Sequence, residues 1–203
     1  MAQVAIIDYG VGNIRSVEKA FAATGCEAVV SSDENVLKRA ERLVLPGVGA
    51  FGACMEALCD RGFDQLVREK VSGGTPLLGV CVGMQMLFEE SEEFGLTTGL
   101  GLLRGRVRRF RHDLLVPQVG WNQIKQRTAH RLFQGIPDES FFYFVHSYYC
   151  EPAQSDVTIG ETEYGMKYAS VVAHENMCGV QFHPEKSQAV GLKLLNNFAN
   201  SGK

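Results

Sequence analysis

Three short segments carry residue types that could do nucleophilic chemistry. The first is Gly79-Val80-Cys81-Val82-Gly83-Met84-Gln85, between an apolar run and an amphipathic one. It is the cysteine form of G-x-S-x-G, a sharp strand-to-helix turn that exposes a nucleophile. A helix start beside the sulfur favours thiolate, and the Val82 N–H is left as a free donor next to it. The second is Val180-Gln181-Phe182-His183-Pro184-Glu185. Pro184 disfavours helical geometry at His183, so the stretch reads as extended, with His183 and Glu185 on one side. A carboxylate holding one imidazole nitrogen leaves the other for a thiol, the base-plus-orienter logic of a triad. The third is Pro46-Gly47-Val48-Gly49, whose glycines let a strand-end loop turn backbone N–H groups toward an oxyanion. Taken singly, each has a plainer account: a buried cysteine, a surface His-Pro turn, a tight turn.

The elements that must position these segments follow from periodicity. Val4-Ala5-Ile6-Ile7, Ala28-Val29-Val30, Leu43-Val44-Leu45 and Leu77-Leu78-Gly79-Val80 read as short buried strands. Asn13 is placed to cap a helix through about Thr24, with Ile14, Val17, Ala20 and Phe21 on its apolar face and Gly25 ending it. A helix is predicted from about Val82 to Glu90. This rhythm implies a parallel sheet with helices on its faces. The second half is β-rich, with strands expected at Val116–Ile124, Ser140–Cys150, Val157–Glu161, Ser170–Ala173 and Gly179–Phe182, then a helix from about Ser187 to Ala199. No repeat, low-complexity tract or linker is visible, so residues 1–203 are expected to form one α/β domain.

Composition excludes other classes. The chain has 203 residues with 45% hydrophobic and 21% charged content, and a net charge of −3. Disorder needs a different balance. A folded surface near ~9,400 Å² is expected, with roughly 70% of the unfolded surface buried. Nothing pulls the chain toward nucleic acid or an anionic membrane, and no apolar run approaches a membrane span. The start, Met1-Ala2-Gln3-Val4, has no leader signature, so a cytoplasmic location with reduced thiols is expected. Cys26, Cys54, Cys59, Cys81, Cys150 and Cys178 lack Cys-x-x-Cys spacing. Five of them read as small buried hydrophobes, leaving Cys81 as nucleophile. His112, His130, His146 and His174 lack ligand spacing, so no metal or cofactor is expected. Gly10-Val11-Gly12 lacks the third glycine of a dinucleotide fingerprint, because Arg15 stands there. Arg104, Arg106, Arg108, Arg109 and Arg111 read first as a solvated strand face and second as a partner or phosphate contact.

Together the three segments resemble the class I glutamine amidotransferases. Asp8-Tyr9-Gly10-Val11-Gly12-Asn13, Val119-Gly120-Trp121-Asn122, Tyr143-Phe144-Val145-His146-Ser147-Tyr148 and the run on to Lys186-Ser187 narrow the resemblance. It is to the glutaminase subunits of imidazole glycerol phosphate synthases, from about Asp8 to Phe198. The resemblance implies a flavodoxin-like α/β fold with a mostly parallel sheet. It implies that Cys81 attacks the glutamine carboxamide, that His183 moves the protons and that Glu185 orients His183. It places the N–H groups of Gly49 and Val82, from the Gly47–Gly49 loop and the turn after Cys81, at the oxyanion, and Gln85, Ser147 and Tyr148 around the glutamine. Asn13, Trp121, Tyr143 and Lys186 would face a partner. That partner would be a separate cyclase subunit with a (β/α)₈ barrel, forming a heterodimer in histidine biosynthesis. It would receive ammonia through a channel, since ammonia released to water is mostly lost as ammonium. Little chain follows Glu185, so the synthase half is expected on that separate chain. Low activity alone and strong stimulation by the partner are expected. Gln118 stands where the family more often has histidine, with an altered partner contact expected; Val82 replaces the usual leucine harmlessly. Service to another synthase, such as one aminating a surface sugar, or a catalytically silent docking role, remain the alternatives.

Overall fold

A computed structural model describes residues 4–200, so the reading at Met1–Gln3 lies outside the described residues. The accessible surface, 9256 Å², is close to the value expected from chain length. Apolar runs bounded by turn residues become the inner strands: β1 (Val4–Ile7), β2 (Ala28–Ser31), β3 (Arg42–Gly47) and β4 (Leu77–Cys81). They lie parallel in the order β2-β1-β3-β4, and β3 and β4 are buried along their whole length. Burial on both faces explains why they read as continuous rather than alternating apolar runs. The connecting helices are α1 (Ile14–Ala23), α2 (Glu34–Arg39), α3 (Phe51–Asp60) and α4 (Phe63–Ser72). Of these four only α1 is predicted above, although α3 and α4 carry the same periodicity, with Phe51, Cys54, Met55 and Leu58 and Phe63, Leu66, Val67 and Val71 buried.

Two expectations about local structure are corrected. The helix after Cys81 does not reach Glu90. It is a single turn, α5 (Val82–Gln85), and the chain then extends into β5 (Phe88–Ser91). Met86, Leu87 and Phe88 are all fully buried, a run that suits a strand as well as a helix. The carbonyls of Met86, Leu87 and Phe88 accept from the N–H groups of residues 100–103, which holds the run extended. The expected strand Ser140–Cys150 is likewise two strands.

The remaining strands are β6 (Thr97–Thr98), β7 (Leu103–Arg109), β8 (Gln118–Gln126), β9 (Ser140–His146), β10 (Tyr148–Pro152), β11 (Thr158–Glu163), β12 (Lys167–His174) and β13 (Met177–Val180). β13 adds parallel to β4, and the sheet continues β13-β12-β10-β7-β5-β6, antiparallel except for β7 with β5. β8 and β9 form an antiparallel ribbon joined to the sheet through β11. α6 (Gln188–Asn200) closes the described chain. On β7, Arg108 pairs with Glu151 at 3.0 Å and Arg106 with Glu90 at 3.7 Å. The arginine cluster is therefore a solvated strand face laced by ion pairs.

All six cysteines are free thiols. Cys59 is exposed on the last turn of α3, which corrects its reading as a buried hydrophobe.

Candidate active site

The three chemical segments meet because they leave the carboxyl ends of three neighbouring parallel strands. Gly47 of β3 lies beside Cys81 of β4, and Val80 lies beside Val180 of β13, with His183 three residues on. This is where open α/β sheets place their ligands. The elbow is built by crowding. A side chain on Gly83 would run into the Leu45 carbonyl, and one on Gly79 would come within 2.7 Å of the Gly83 carbonyl. Backbones packed that closely force Cys81 to φ 57°, ψ −114°, a sparsely populated conformation that costs about 1–3 kcal/mol. The Cys81 residue is 4% exposed and lines a cavity of about 410 Å³.

His183 also lines that cavity beside Cys81. Its Nδ1 donates to Glu185 Oε1 at 2.9 Å. The route differs from the extended pairing predicted: His183 is extended, but Pro184–Lys186 turn as a short 3₁₀ helix that swings Glu185 back. Burial works to lower the His183 pKa. The hydrogen bonds and charges of Cys81 and Glu185 outweigh it and raise the value to about 10. Glu185 Oε1 also accepts from Asn13 Nδ2 at 3.5 Å, while Oε2 is buried without a partner. Asn13 stands at the start of α1 as expected, but its side chain does not cap the helix; it accepts from Ser16 and reaches Glu185.

The glycine-rich loop contributes Val48 and Gly49 to the cavity wall. Gly49 sits at φ +91°. The carbonyl of Val48, in the same peptide as the Gly49 N–H, accepts from the Cys54 thiol at 3.4 Å, and the Tyr9 hydroxyl donates to the Pro46 carbonyl at 2.7 Å. Burial raises the pKa values of both Tyr9 and Cys54, so they stay protonated as donors.

The opposite wall comes from the break between β9 and β10. Gln85, Val82, His146, Ser147 and Tyr148 line it. Gln85 Nε2 donates to the Tyr148 carbonyl and to Gln181 Oε1, both at 3.1 Å. His146 Nδ1 donates to the same Tyr148 carbonyl at 2.8 Å, and its Nε2 lies 3.2 Å from the Tyr168 hydroxyl. Burial lowers the His146 pKa to about 4, so the ring is neutral. Gln118, expected to alter a partner contact, is instead 3% exposed and hydrogen-bonded to Tyr168 at 2.9 Å. It acts inside the ribbon.

Sequence reasoning missed Glu93. Its Oε2 accepts from the Phe51 N–H at 2.6 Å, at the start of α3, and the side chain lines the cavity. Nothing in its local sequence, a run of acidic residues, marks it. Beside the cavity, the outward face of the ribbon exposes Val119, Trp121, Phe141 and Val145, with Trp121 and Tyr143 in edge contact at 6.0 Å. The Lys186 ammonium lies 5.7 Å from the Tyr143 ring centre.

Residues 5–201 match the family model described as glutamine amidotransferase class-I. The chain belongs to the class-I glutamine amidotransferases. It is 47% identical to the imidazole glycerol phosphate synthase subunit HisH of Geobacter metallireducens over 99% of both chains. It is 48% identical to that of Symbiobacterium thermophilum, over 98% of this chain and 93% of the relative. Among solved structures, PurLQS from Thermotoga maritima superposes with a TM-score of 0.79 over all of both chains at 16% identity. A glutamine amidotransferase superposes at 0.74 and 20% identity, over 97% of this chain and 98% of that one. At those identities the structures establish the shared fold. No described helix of this amidotransferase is long and apolar enough to cross a membrane.

Proposed function

We propose that the chain is one amidotransferase domain that hydrolyses glutamine to glutamate and delivers the ammonia to the cyclase subunit of imidazole glycerol phosphate synthase, in the cytoplasm. The observation that carries the chemistry is that Cys81 and His183 line one cavity while Glu185 holds the His183 ring at 2.9 Å. The near-full-length identity to HisH subunits supports the subunit assignment.

In this reading the Cys81 thiolate attacks the side-chain carboxamide carbon of glutamine. The oxyanion meets the N–H groups of Val82 and Gly49. The tetrahedral intermediate collapses, His183 protonates the departing nitrogen, and ammonia leaves a thioester on Cys81. His183 then takes a proton from water, which attacks the thioester and releases glutamate. Glu185 keeps the imidazole oriented throughout. Gln85 and the backbone of Ser147 and Tyr148 hold the substrate, and the Glu93 carboxylate matches its α-ammonium. The apolar ribbon face with Trp121 and Tyr143, together with Lys186 and Asn13, takes the (β/α)₈ cyclase as a heterodimer, so that ammonia passes between the subunits without meeting water. Metal and cofactor have no step in this route.

The test is a coupled assay. The chain is mixed with its cyclase subunit, glutamine and the nucleotide intermediate, and glutamate release is measured. A large rise over the isolated chain is expected; no rise would sink the subunit assignment.

A further inference from the structure

The outward ribbon face and the catalytic histidine share a strand. β9 pairs with β8 along one edge, where Tyr143 lies opposite Trp121. Tyr143 turns both of its remaining backbone groups toward the catalytic turn. Its carbonyl accepts from the His183 N–H at 2.9 Å. Its N–H donates to the Ser187 hydroxyl at 3.0 Å, and that hydroxyl donates to the His183 carbonyl at 2.7 Å. The result is a closed ring of three hydrogen bonds, with Ser187 fully buried at its centre. The hydroxyl is used as both acceptor and donor, which only serine or threonine can supply at that size. α6 starts next to this ring: Gly191 donates to the Ser187 carbonyl at 3.1 Å, and a side chain on Gly191 would come within 2.8 Å of the Ser187 Cβ. Ser187 is thus packed against the first turn of α6.

We infer that Ser187 is a positioning residue that couples the outward face of β9 to His183. The inference rests on the proposed docking of a partner subunit on that face. A partner pressing on the Trp121 and Tyr143 rings shifts or stiffens the backbone of Tyr143. That change reaches the His183 N–H directly through the Tyr143 carbonyl and the His183 carbonyl through the Ser187 hydroxyl, and so the angle at which the imidazole meets Cys81. Catalytic geometry is sensitive to displacements of that size. Neither Ser187 nor the Tyr143 backbone touches the substrate; both act through the histidine.

The experiment compares Ser187→Ala and Ser187→Thr with the unmodified chain, alone and with the cyclase subunit. Glutamine turnover, KM and partner affinity are all measured. For Ser187→Ala the expected result is a fall in kcat of the complex of roughly tenfold or more, with KM and partner affinity within about twofold. The ratio of turnover with partner to turnover without it should shrink as well. Ser187→Thr keeps the hydroxyl and should restore both. If Ser187→Ala retains the full stimulation ratio, the coupling role is overturned, even where turnover alone and in complex fall together. If the unmodified chain shows no stimulation, this inference and the docking reading both fall. Hydrogen exchange on the unmodified chain needs no variant to fold. Docking should slow the Tyr143 and His183 amides together; slowing at Tyr143 with no change at His183 would overturn the inference.

Discussion

The parallel half of the molecule and the β8–β9 ribbon solve opposite problems. In the parallel half β1, β3 and β4 are buried, and Gly79 and Gly83 are required because there is no room for a side chain. In the ribbon, alternate residues face solvent. Gly120 is required there only by its backbone, at φ +131°, with open space where a side chain would stand. Crowding around Gly79 and Gly83 holds Cys81 in a conformation it would not choose. The ribbon carries no strain of that kind and instead leaves Val119 59%, Phe141 52% and Trp121 46% exposed. Rigid burial thus positions the nucleophile, while a half-open ribbon offers surface to another molecule. The difference teaches where each kind of substitution should be felt.

The sharpest break comes at the nucleophile. Cys81→Ala should lower glutamine turnover of the complex by roughly 10⁴-fold or more, with the melting temperature little changed. Cys81→Gly should be equally inactive yet more stable than the alanine variant by about 1–3 kcal/mol, because glycine accepts the positive φ without strain. Equal melting of the two variants would mean that the elbow stores no strain.

Next come the two glycines. Gly83→Ala should destabilise by more than about 4 kcal/mol or prevent folding, since its methyl meets the backbone of β3. Gly120→Ala should cost only about 1–2 kcal/mol, from the backbone alone. Chemical denaturation measures both, and similar losses at the two sites would erase the contrast drawn between the regions. Smaller again is Trp121→Ala on the ribbon. It should weaken binding of the cyclase subunit by roughly 10- to 100-fold while leaving the melting temperature of the isolated chain almost unchanged. Titration of the partner checks it.

The same contrast governs what can be read from residues alone. The elbow at Cys81, the turn at His183 and the loop at Gly47–Gly49 are each marked by a few consecutive residues, although the crowding against Leu45 and the 3₁₀ turn at Pro184–Lys186 that complete their geometry are not. Strands β1, β3 and β4 are legible because burial on both faces leaves unbroken apolar runs. The run Met86–Phe88 is equally apolar and misleads at the helix boundary, because only its tertiary hydrogen bonds to residues 100–103 decide for a strand. The division of Ser140–Cys150 at Ser147 is hidden for the same reason. Glu93 and Gln118 depend on neighbours distant in sequence, Phe51 for one and Tyr168 for the other. Asn13 has the type and place of a cap, yet its amide is drawn across the fold to Glu185.

The finest test of the comparison lies inside the ribbon, at His146. Burial against Phe144, Phe110 and Tyr168 lowers its pKa to about 4, with the charge of nearby His183 pushing the same way. In the unfolded chain the same imidazole has its ordinary value of 6.5. Between these two values the unfolded state binds a proton that the folded state refuses. Stability must therefore fall as pH drops from 6.5 toward 4, by at most about 1.4 kcal/mol per pH unit from this group, and level off below. His146→Asn has no such proton, and its amide can still donate to the Tyr148 carbonyl. Denaturation at pH 7 and at pH 4.5 should show a smaller acid loss for the variant than for the unmodified chain. Parallel loss in both would mean that His146 is already protonated in the folded ribbon. The hydrogen bond to Tyr148 would then be carried by an imidazolium, and the ribbon would be wetter than its burial implies.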